Sequence, residues 1–301
     1  MNRKSFRVLV AICLSAVMLT GCAVHQPLAA SFNRLPAEQE IVWLRNQSYT
    51  PASATQALQG DWVRPVGSEP VPGLLMVHGG GWSRRSRDDM TASAERFAKA
   101  GFGVFNISHR FAPAFTYPSQ LIDLQQATQW MRNHAAELGL DASWIAGYGY
   151  SSGGHLVALQ GLLSADSPHY QADARLQALV LGGAPTDLRR FRGGTLVPQF
   201  LGTTIDQGFA RYVEASPVTH LSADDPPTFV YHGGLDALVV ADYAREFVEA
   251  ATAVNVATEL YISPLQGHVS MFLLRDDAED RAIRFLLGQW QHRHAVPQSG
   301  P

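Results

Sequence analysis

Residues 145–156 read I-A-G-Y-G-Y-S-S-G-G-H-L, an apolar and aromatic run followed by two serines and two glycines. The apolar and aromatic run that ends at Tyr150 predicts a buried strand, and the residues that follow have the spacing of a helix. Ser151 stands between them, with Gly149 and Gly153 two residues to either side. Such glycines leave room for a sharp turn that presents a serine hydroxyl above a sheet. The stretch therefore predicts a nucleophilic serine, with an ordinary glycine-rich loop as the alternative.

Strand and helix patterns alternate along the rest of the chain. Apolar runs typical of buried strands occur at 73–78, 103–107, 144–150, 176–181, 228–231 and 258–262. Helical spacing occurs at 88–100, 119–138, 154–164, 243–251 and 277–291. Two shorter strand candidates, 41–44 and 58–63, come first and are expected to lie antiparallel at one edge. This order predicts an α/β fold with a mostly parallel central sheet and helices on both faces.

Length and composition are those of one large domain. The chain has 301 residues, 46% of them hydrophobic and 16% charged, which is enough for a well-buried core over residues 35–295. The net charge of -3 gives no basic surface of the kind that nucleic acid requires. Periodicity fades over 183–227, which is interpreted either as a small cap or pocket wall or as irregular packing over the sheet. Residues 296–301 are expected to form a disordered tail.

The N-terminus has the pattern of an exported lipoprotein. Three positive charges precede an apolar run that is too short to span a membrane and that ends in L-T-G-C. This order resembles a bacterial lipoprotein signal at 1–21, cleaved before a lipidated Cys22 that anchors the protein to the membrane, with 22–34 as a tether. Ala23, where an Asp is absent, resembles lipoproteins sent to the outer membrane. The alternative is a plain secretory signal cut near residues 28–30.

A serine hydroxyl needs an adjacent base and an acid that orients the base. His268 follows the last predicted strand and Asp236 follows the strand before it, so both are expected with Ser151 at the carboxyl edge of the sheet. Asp242 is the second choice of acid, because it falls where a helix begins. The sequence H-G-G-G-W at 78–82 follows another strand, and its glycines let backbone N–H groups turn towards an oxyanion.

Several motifs together resemble a known family. In chain order they are H-G-G-G-W, S-H-R-F-A-P-A, G-Y-S-S-G-G-H-L, A-P-T-D-L, P-P-T-F-V-Y-H-G-G-L-D-A-L-V and G-H-V-S, spread over about residues 62–285. They resemble the BD-FAE-like group of α/β-hydrolases, which is close to the hormone-sensitive-lipase-type esterases. The resemblance implies an α/β-hydrolase fold in which Ser151 is the nucleophile, Asp236 the acid and His268 the base.

The same resemblance implies roles for the glycine-rich loop. The backbone amides of Gly80, Gly81 and Ser152 would bind the oxyanion, and His78 and Gly79 would support the loop. Ser152 stands where these esterases often have Ala, but only its N–H is required.

These features predict a carboxylic ester hydrolase that forms an acyl-enzyme on Ser151 and uses neither a cofactor nor a metal. Apolar residues beside the motifs are expected to bind a short-chain or aromatic acyl group: Trp82, Phe111, Leu238 and Val239. The segment before the glycine loop is too short for the two-helix lid of hormone-sensitive-lipase relatives, so an open site for small or glycan-linked esters is expected. The alternatives are a polysaccharide acetyl or feruloyl esterase, an amide hydrolase of the kynurenine formamidase kind, and a non-catalytic surface-binding lipoprotein.

Overall fold

The structure is a computed structural model of the chain, and it describes residues 24–26, 34–51, 54 and 56–295. The predicted signal, Cys22 and the predicted tail lie outside the described residues, as does most of the predicted tether. Among the helices that are described, none is both long and apolar enough to cross a membrane.

One sheet of nine strands forms the centre of the described part of the chain. The strands are β1 (Val24–Gln26), β2 (Ile41–Ser48), β3 (Gln59–Pro65), β4 (Val71–Val77), β5 (Gly103–Ile107), β6 (Leu140–Tyr150), β7 (Leu179–Gly182), β8 (Thr228–Gly233) and β9 (Thr258–Ser263). They lie in the order β1-β9-β8-β7-β6-β4-β5-β3-β2. Six adjacent strands run parallel to one another: β9, β8, β7, β6, β4 and β5. The other three strands, β1, β2 and β3, pair antiparallel with their neighbours. The mostly parallel sheet is therefore confirmed, and the two early strands lie antiparallel at one edge.

Helices cover both faces of this sheet. They are α1 (Thr91–Lys99), α2 (Ser119–Asn133), α3 (Ala135–Leu138), α4 (Ser152–Leu162), α5 (Leu196–Leu201), α6 (Ile205–Glu214), α7 (Asp242–Ala253), α8 (His268–Leu273) and α9 (Asp276–Ala295). One buried apolar cluster joins the sheet to α2, α4, α5 and α7, and a second joins it to α1 and α9. Central strands such as β4 read as continuous apolar runs because both of their faces are buried in this way.

Two helices differ from the sequence-based expectation. The single helix predicted over 119–138 is two helices, because the backbone leaves helical geometry at His134 (φ -106°, ψ 15°), where the ring Nδ1 donates to Trp130 O at 2.9 Å. Gly139 ends the second helix in the left-handed conformation with φ 60°, as a C-terminal glycine does. Helix α4 begins two residues earlier than predicted, directly after Ser151.

The segment 183–227 is more regular than its sequence suggests. It contains α5, α6 and two short 3₁₀ turns, Leu188–Arg190 and Pro217–His220. Phe200 and Tyr212 from these helices are almost fully buried and belong to the same apolar cluster as α4. The segment therefore packs over the sheet as a helical layer, which lies beside Ser151 as described below.

Three residues of the predicted tether pair with the sheet. Val24–Gln26 form β1, which lies antiparallel to β9 with Val24 opposite Ile262. The tether prediction for 22–34 is therefore wrong at these residues, because main-chain pairing holds them against the last strand.

Candidate active site

Ser151 occupies a strained turn between β6 and α4. Its backbone has φ 53° and ψ -122°, a conformation that L residues rarely adopt and that persists only where the surroundings impose it. The close packing of the turn excludes side chains at the flanking glycines. A Cβ at Gly149 would lie 2.3 Å from backbone atoms of Gly153, and a Cβ at Gly153 would lie 2.3 Å from Val77 O. Glycine is thus required at both positions because the two sides of the turn are in direct backbone contact with each other and with the end of β4.

The structure brings the three residues predicted for catalysis into one hydrogen-bonded chain. His268 Nε2 lies 2.9 Å from Ser151 Oγ, and His268 Nδ1 lies 2.6 Å from Asp236 Oδ2. Ser151 follows β6, Asp236 follows β8 and His268 follows β9, so the carboxyl ends of three parallel strands supply them. His268 is the first residue of α8. The arrangement allows the imidazole to accept the serine proton while the carboxylate fixes the tautomer.

The carboxylate of Asp236 is fully buried and surrounded by donors. Oδ1 accepts hydrogen bonds from the backbone N–H groups of Leu238 (2.9 Å) and Val239 (2.8 Å). Burial alone would raise the pKa of Asp236, but hydrogen bonds from His232, His268 and the Val239 amide outweigh it and hold the pKa well below its usual range. Asp236 therefore carries a negative charge next to His268 throughout the neutral pH range.

His232 is part of this site although sequence reasoning did not select it. It lies in β8 with a fully buried side chain, and its Nε2 lies 2.7 Å from Val239 O and 3.3 Å from Asp236 Oδ2. Since Val239 O can only accept, Nε2 carries the hydrogen. The signal in the sequence is the four-residue spacing between His232 and Asp236 across a G-G turn, which brings the two side chains together.

Asp242, the second choice of acid, lies apart from this chain of hydrogen bonds. It is the first residue of α7, its side chain is 61% exposed, and it pairs with Arg245 at 3.1 Å. It does not cap the helix, since the N-cap is Ala241. The carboxylate that is hydrogen-bonded to His268 is therefore that of Asp236.

The glycine-rich loop lies against the serine turn. A Cβ at Gly79 would lie 2.9 Å from Tyr150 O and 3.2 Å from Ser151 Cβ. Gly80 (φ 122°) and Gly81 (φ 62°) have backbone conformations that disfavour side chains. Ser152 is the first residue of α4, where the N–H groups of a helix have no partner within the helix. The loop and the helix start are thus close enough to Ser151 to supply donors to one oxyanion.

Two stacked histidines lie behind the glycine loop. The rings of His78 and His109 are parallel with centroids 4.6 Å apart, and His78 Nδ1 donates to Gly79 O at 2.6 Å. Burial lowers the pKa of His78, and burial followed by the nearby His78 lowers the pKa of His109 to about 3. Both rings are therefore neutral, and His78 contacts the loop through its hydrogen bond to Gly79 O; a support role for His78 stays a prediction.

Phe111 packs with these histidines and does not reach the substrate cavity. Its ring contacts both imidazoles edge-on, with centroids 5.9 Å from His78 and 5.4 Å from His109. The prediction that Phe111 lines the pocket is therefore wrong, because the chain after β5 places the ring behind the loop.

A cavity of about 390 Å³ opens above Ser151. Of the four predicted lining residues, Trp82, Leu238 and Val239 do line it. The helical layer supplies a further wall through Phe191, Leu196 and Val197, all within residues 183–227, for which a pocket wall was one of the two expectations. The remaining polar and apolar lining includes Arg84, Arg85, Asp89, Tyr150, Pro185, Val269 and Phe272. A second, more open depression between α7 and β9 contains none of the residues of the serine turn.

Trp82 is held in place from two directions. Its ring stacks on Phe200 with centroids 4.6 Å apart, and its Nε1 donates to His155 Nδ1 at 3.2 Å. His155 Nε2 in turn donates to Ala215 O at 2.8 Å, and burial lowers the pKa of His155 to about 4. The neutral ring of His155 thus ties the glycine loop to the helical layer.

No metal centre is evident in the described part of the chain. It contains no group of three or more His, Cys, Asp or Glu side chains arranged to hold an ion.

The parallel sheet, the serine turn after β6 and the acid and histidine after β8 and β9 define an α/β-hydrolase fold. The chain belongs to the BD-FAE family, whose model matches residues 62–250.

Known proteins with similar sequences and structures agree with this assignment. A probable carboxylic ester hydrolase of Mycobacterium tuberculosis, LipM, is 33% identical over 80% of this chain and 60% of its own. Esterase LipC of the same organism is 33% identical over 67% of this chain and 53% of its own. The chain thus spans little more than half the length of these relatives. The solved structure of a truncated carbohydrate esterase from gut microbiota shares the fold, with a TM-score of 0.71, 20% identity and coverage of 88% of this chain and 99% of that one.

Proposed function

We propose that this protein is a carboxylic ester hydrolase that works through an acyl-enzyme on Ser151. The observation that carries the proposal is the continuous chain from Ser151 Oγ through His268 to the buried Asp236 carboxylate, at 2.9 and 2.6 Å. The names of the relatives, a probable carboxylic ester hydrolase and an esterase, support the same class of reaction.

The geometry suits two half-reactions. In the first, Ser151 Oγ attacks the ester carbonyl carbon, His268 Nε2 takes the serine proton, and the imidazolium is stabilised by Asp236. Amides of the glycine loop and of Ser152 donate to the oxyanion, and the alcohol leaves with the proton from His268. In the second, water attacks the acyl carbonyl, loses a proton to His268, and releases the carboxylic acid while Ser151 regains its hydrogen.

The cavity supports small acyl groups as the preferred substrates. A volume of about 390 Å³ is near the lower end of the range for small-molecule sites, and Trp82, Leu238 and Phe272 give it apolar walls. We therefore propose short-chain or aromatic acyl esters, either free or linked to a glycan.

The decisive experiment is covalent labelling at Ser151. A fluorophosphonate probe should label the folded wild-type protein, and Ser151→Ala should abolish labelling and lower p-nitrophenyl acetate hydrolysis by about 10³-fold or more. Ser152→Ala is the matched control, because it changes the adjacent serine and keeps the backbone N–H; it should still be labelled. Equal hydrolysis by Ser151→Ala and wild type would refute the mechanism, and an unlabelled wild-type protein that is folded would favour a binding role.

A substrate panel separates the remaining hydrolytic alternatives. Rates on p-nitrophenyl acetate and butyrate, acetylated xylan, methyl ferulate and N-formylkynurenine compare simple esters with polysaccharide esters and a formamide. We expect the simple esters to be hydrolysed fastest. Preference for acetylated xylan or methyl ferulate would indicate a polysaccharide esterase, and preference for N-formylkynurenine an amide hydrolase.

We also propose that the protein is exported and anchored in the outer membrane through lipid on Cys22. The lipoprotein pattern of the sequence supports this proposal. Metabolically supplied labelled palmitate should be incorporated into the wild-type chain and into Cys13→Ala but not into Cys22→Ala, which should leave the membrane fraction. Unchanged fractionation of Cys22→Ala would refute the anchor.

A further inference from the structure

Exposed apolar side chains are concentrated at one place on the surface. The six most exposed large apolar side chains among the described residues are between 62% and 78% exposed, and all belong to the loop after β8 or to residues 264–274 after β9. We call them the apolar rim: Leu235, Leu238, Leu265, Val269, Leu273 and Leu274. Apolar side chains scattered singly need no explanation, but a cluster on neighbouring segments marks an interaction surface.

Direct hydrogen bonds join the segments that carry the rim. Leu235 N donates to Gln266 O at 2.9 Å, and Gln266 Nε2 donates to Leu274 O at 3.2 Å. Leu238 and Val269 also line the cavity above Ser151, so the rim continues into the mouth of the site. The cluster is therefore one surface that borders the cavity.

The two segments that carry the rim have no exposed charge between its members, and the nearest exposed charges along the chain, Asp242 and Asp276, lie just beyond the ends of the segments. The segments 235–241 and 264–274 contain two ionisable side chains, Asp236 and His268. Their side chains are 0% and 13% exposed and are bonded to each other. A surface with this composition favours an apolar environment over water.

The main-chain path leads the predicted anchor to the same surface. Strand β1 lies antiparallel to β9, and its first residue, Val24, is opposite Ile262, three residues before Leu265 of the rim. Val24, the first described residue, therefore lies at the carboxyl end of β9. Cys22 is two residues before Val24, and two residues span at most about 7 Å. Lipid on Cys22 would therefore hold the bilayer within reach of the edge of the sheet that carries the rim and the serine.

We propose that the apolar rim docks onto a lipid bilayer, so that the cavity above Ser151 opens towards the membrane. The inference builds on the proposed anchor at Cys22 and does not depend on the chemistry at Ser151. The lipid on Cys22 and the rim act together, since stable peripheral binding usually needs two membrane contacts. Docking in this orientation gives the site access to esters that partition into the lipid.

The test measures binding to phosphatidylcholine vesicles with residues 22–301 carrying Cys22→Ala, so that neither lipid nor the apolar run of the predicted signal contributes. In this background, Leu265→Ser/Leu273→Ser/Leu274→Ser removes half of the rim without touching a cavity-lining residue. The matched control is Val42→Ser/Leu44→Ser/Val66→Ser, which changes three exposed apolar residues near the opposite edge of the sheet. The rim variant should lower the vesicle partition coefficient on the order of tenfold, and the control should leave it unchanged.

Further readouts keep the outcome unambiguous. Both triple variants should hydrolyse p-nitrophenyl acetate without vesicles as the parent does, which shows that they are folded. If the triple variant does not fold, Leu265→Ser alone is used instead, because this residue lies in a loop. The single variant should also lower the vesicle partition coefficient.

Equal partitioning of the rim variants and the parent would overturn the proposal. So would a parent that is dimeric without vesicles and a rim variant that is monomeric, because the rim would then join two copies of this chain. If no variant hydrolyses any ester but the rim variants still bind vesicles less, the proposed function fails while the docking surface stands.

Discussion

His232 Nε2 lies 3.3 Å from Asp236 Oδ2, the same oxygen that accepts the 2.6 Å hydrogen bond from His268. With the two backbone amides on the other oxygen, the carboxylate is held from four directions. A carboxylate fixed in this way presents one defined lone pair to the imidazole, which is what orientation of a general base requires. We therefore predict that His232 is a positioning residue that acts through Asp236.

Removal of His232 should separate positioning from substrate binding. In His232→Leu, Asp236 loses a donor, so its pKa should rise and its orientation should loosen. We expect kcat on p-nitrophenyl acetate to fall on the order of tenfold with little change in KM. His232→Gln keeps an amide donor and should recover part of kcat. An effect of the same size on KM, or equal activities of the Leu and Gln variants, would assign His232 a purely structural role.

The choice between the two candidate acids is testable by an isosteric pair. Asp236→Asn should lower kcat by about 10³- to 10⁴-fold, because an amide cannot stabilise the imidazolium and favours the wrong tautomer. Asp242→Asn should have the wild-type rate, since that side chain is exposed and pairs with Arg245. Thermal unfolding checks that both variants are folded. Comparable losses in the two variants would contradict the assignment of Asp236.

The glycine loop should tolerate no side chain at Gly80. A Cβ there would lie 2.1 Å from Arg84 O, and the φ of 122° is unfavourable for Ala, so Gly80→Ala must shift the loop. Displaced oxyanion donors should lower kcat by about 10²-fold or more. Gly193→Ala is the control within the same cavity wall, because nothing lies within 4 Å of its added Cβ. Its kcat should be close to that of the wild type, and a wild-type kcat for Gly80→Ala would exclude the loop from oxyanion binding.

Acid should destabilise the fold through its buried histidines. The pKa of His109 is about 3 in the fold, against 6.5 for a free histidine, and that of His155 is about 4. Between these values and pH 6.5 the unfolded chain binds protons that the fold does not, so the free energy of unfolding should fall as the pH falls. One such group contributes at most about 1.4 kcal/mol per pH unit. Urea unfolding across this range should show a shallower dependence for His109→Gln, and an identical slope would refute the contribution of His109.

Much of the sheet could be predicted from the sequence because its strands are buried on both faces. The strands β5, β8 and β9 lie within two residues of their predicted ends, since a continuous apolar run has little freedom in where it enters a covered sheet. The helices α5 and α6 escaped prediction for a physical reason. Both are short, Gly202 ends one in the left-handed conformation, and the backbone of Gly208 leaves helical geometry inside the other, so no long apolar periodicity develops.

The candidate site also has one part that the sequence predicts and another part that it does not. Ser151, Asp236 and His268 could be placed from strand order alone, because the carboxyl ends of parallel strands share one edge. The contacts of His232 and Phe111 depend on the path of the loops after β8 and β5. A sequence pattern does not encode such paths. His232 was therefore missed, and Phe111 was wrongly assigned to the lining of the cavity.

The short strand β1 has a further consequence for the solubility of the molecule. It covers the outer edge of β9 over Leu260, Tyr261 and Ile262, whose main-chain groups would otherwise face outwards. An uncovered strand at the end of a sheet is a template on which another chain can add a strand. Proteolytic trimming up to Gln26 would bare this template, so the N-terminal segment also protects the domain from edge-to-edge aggregation.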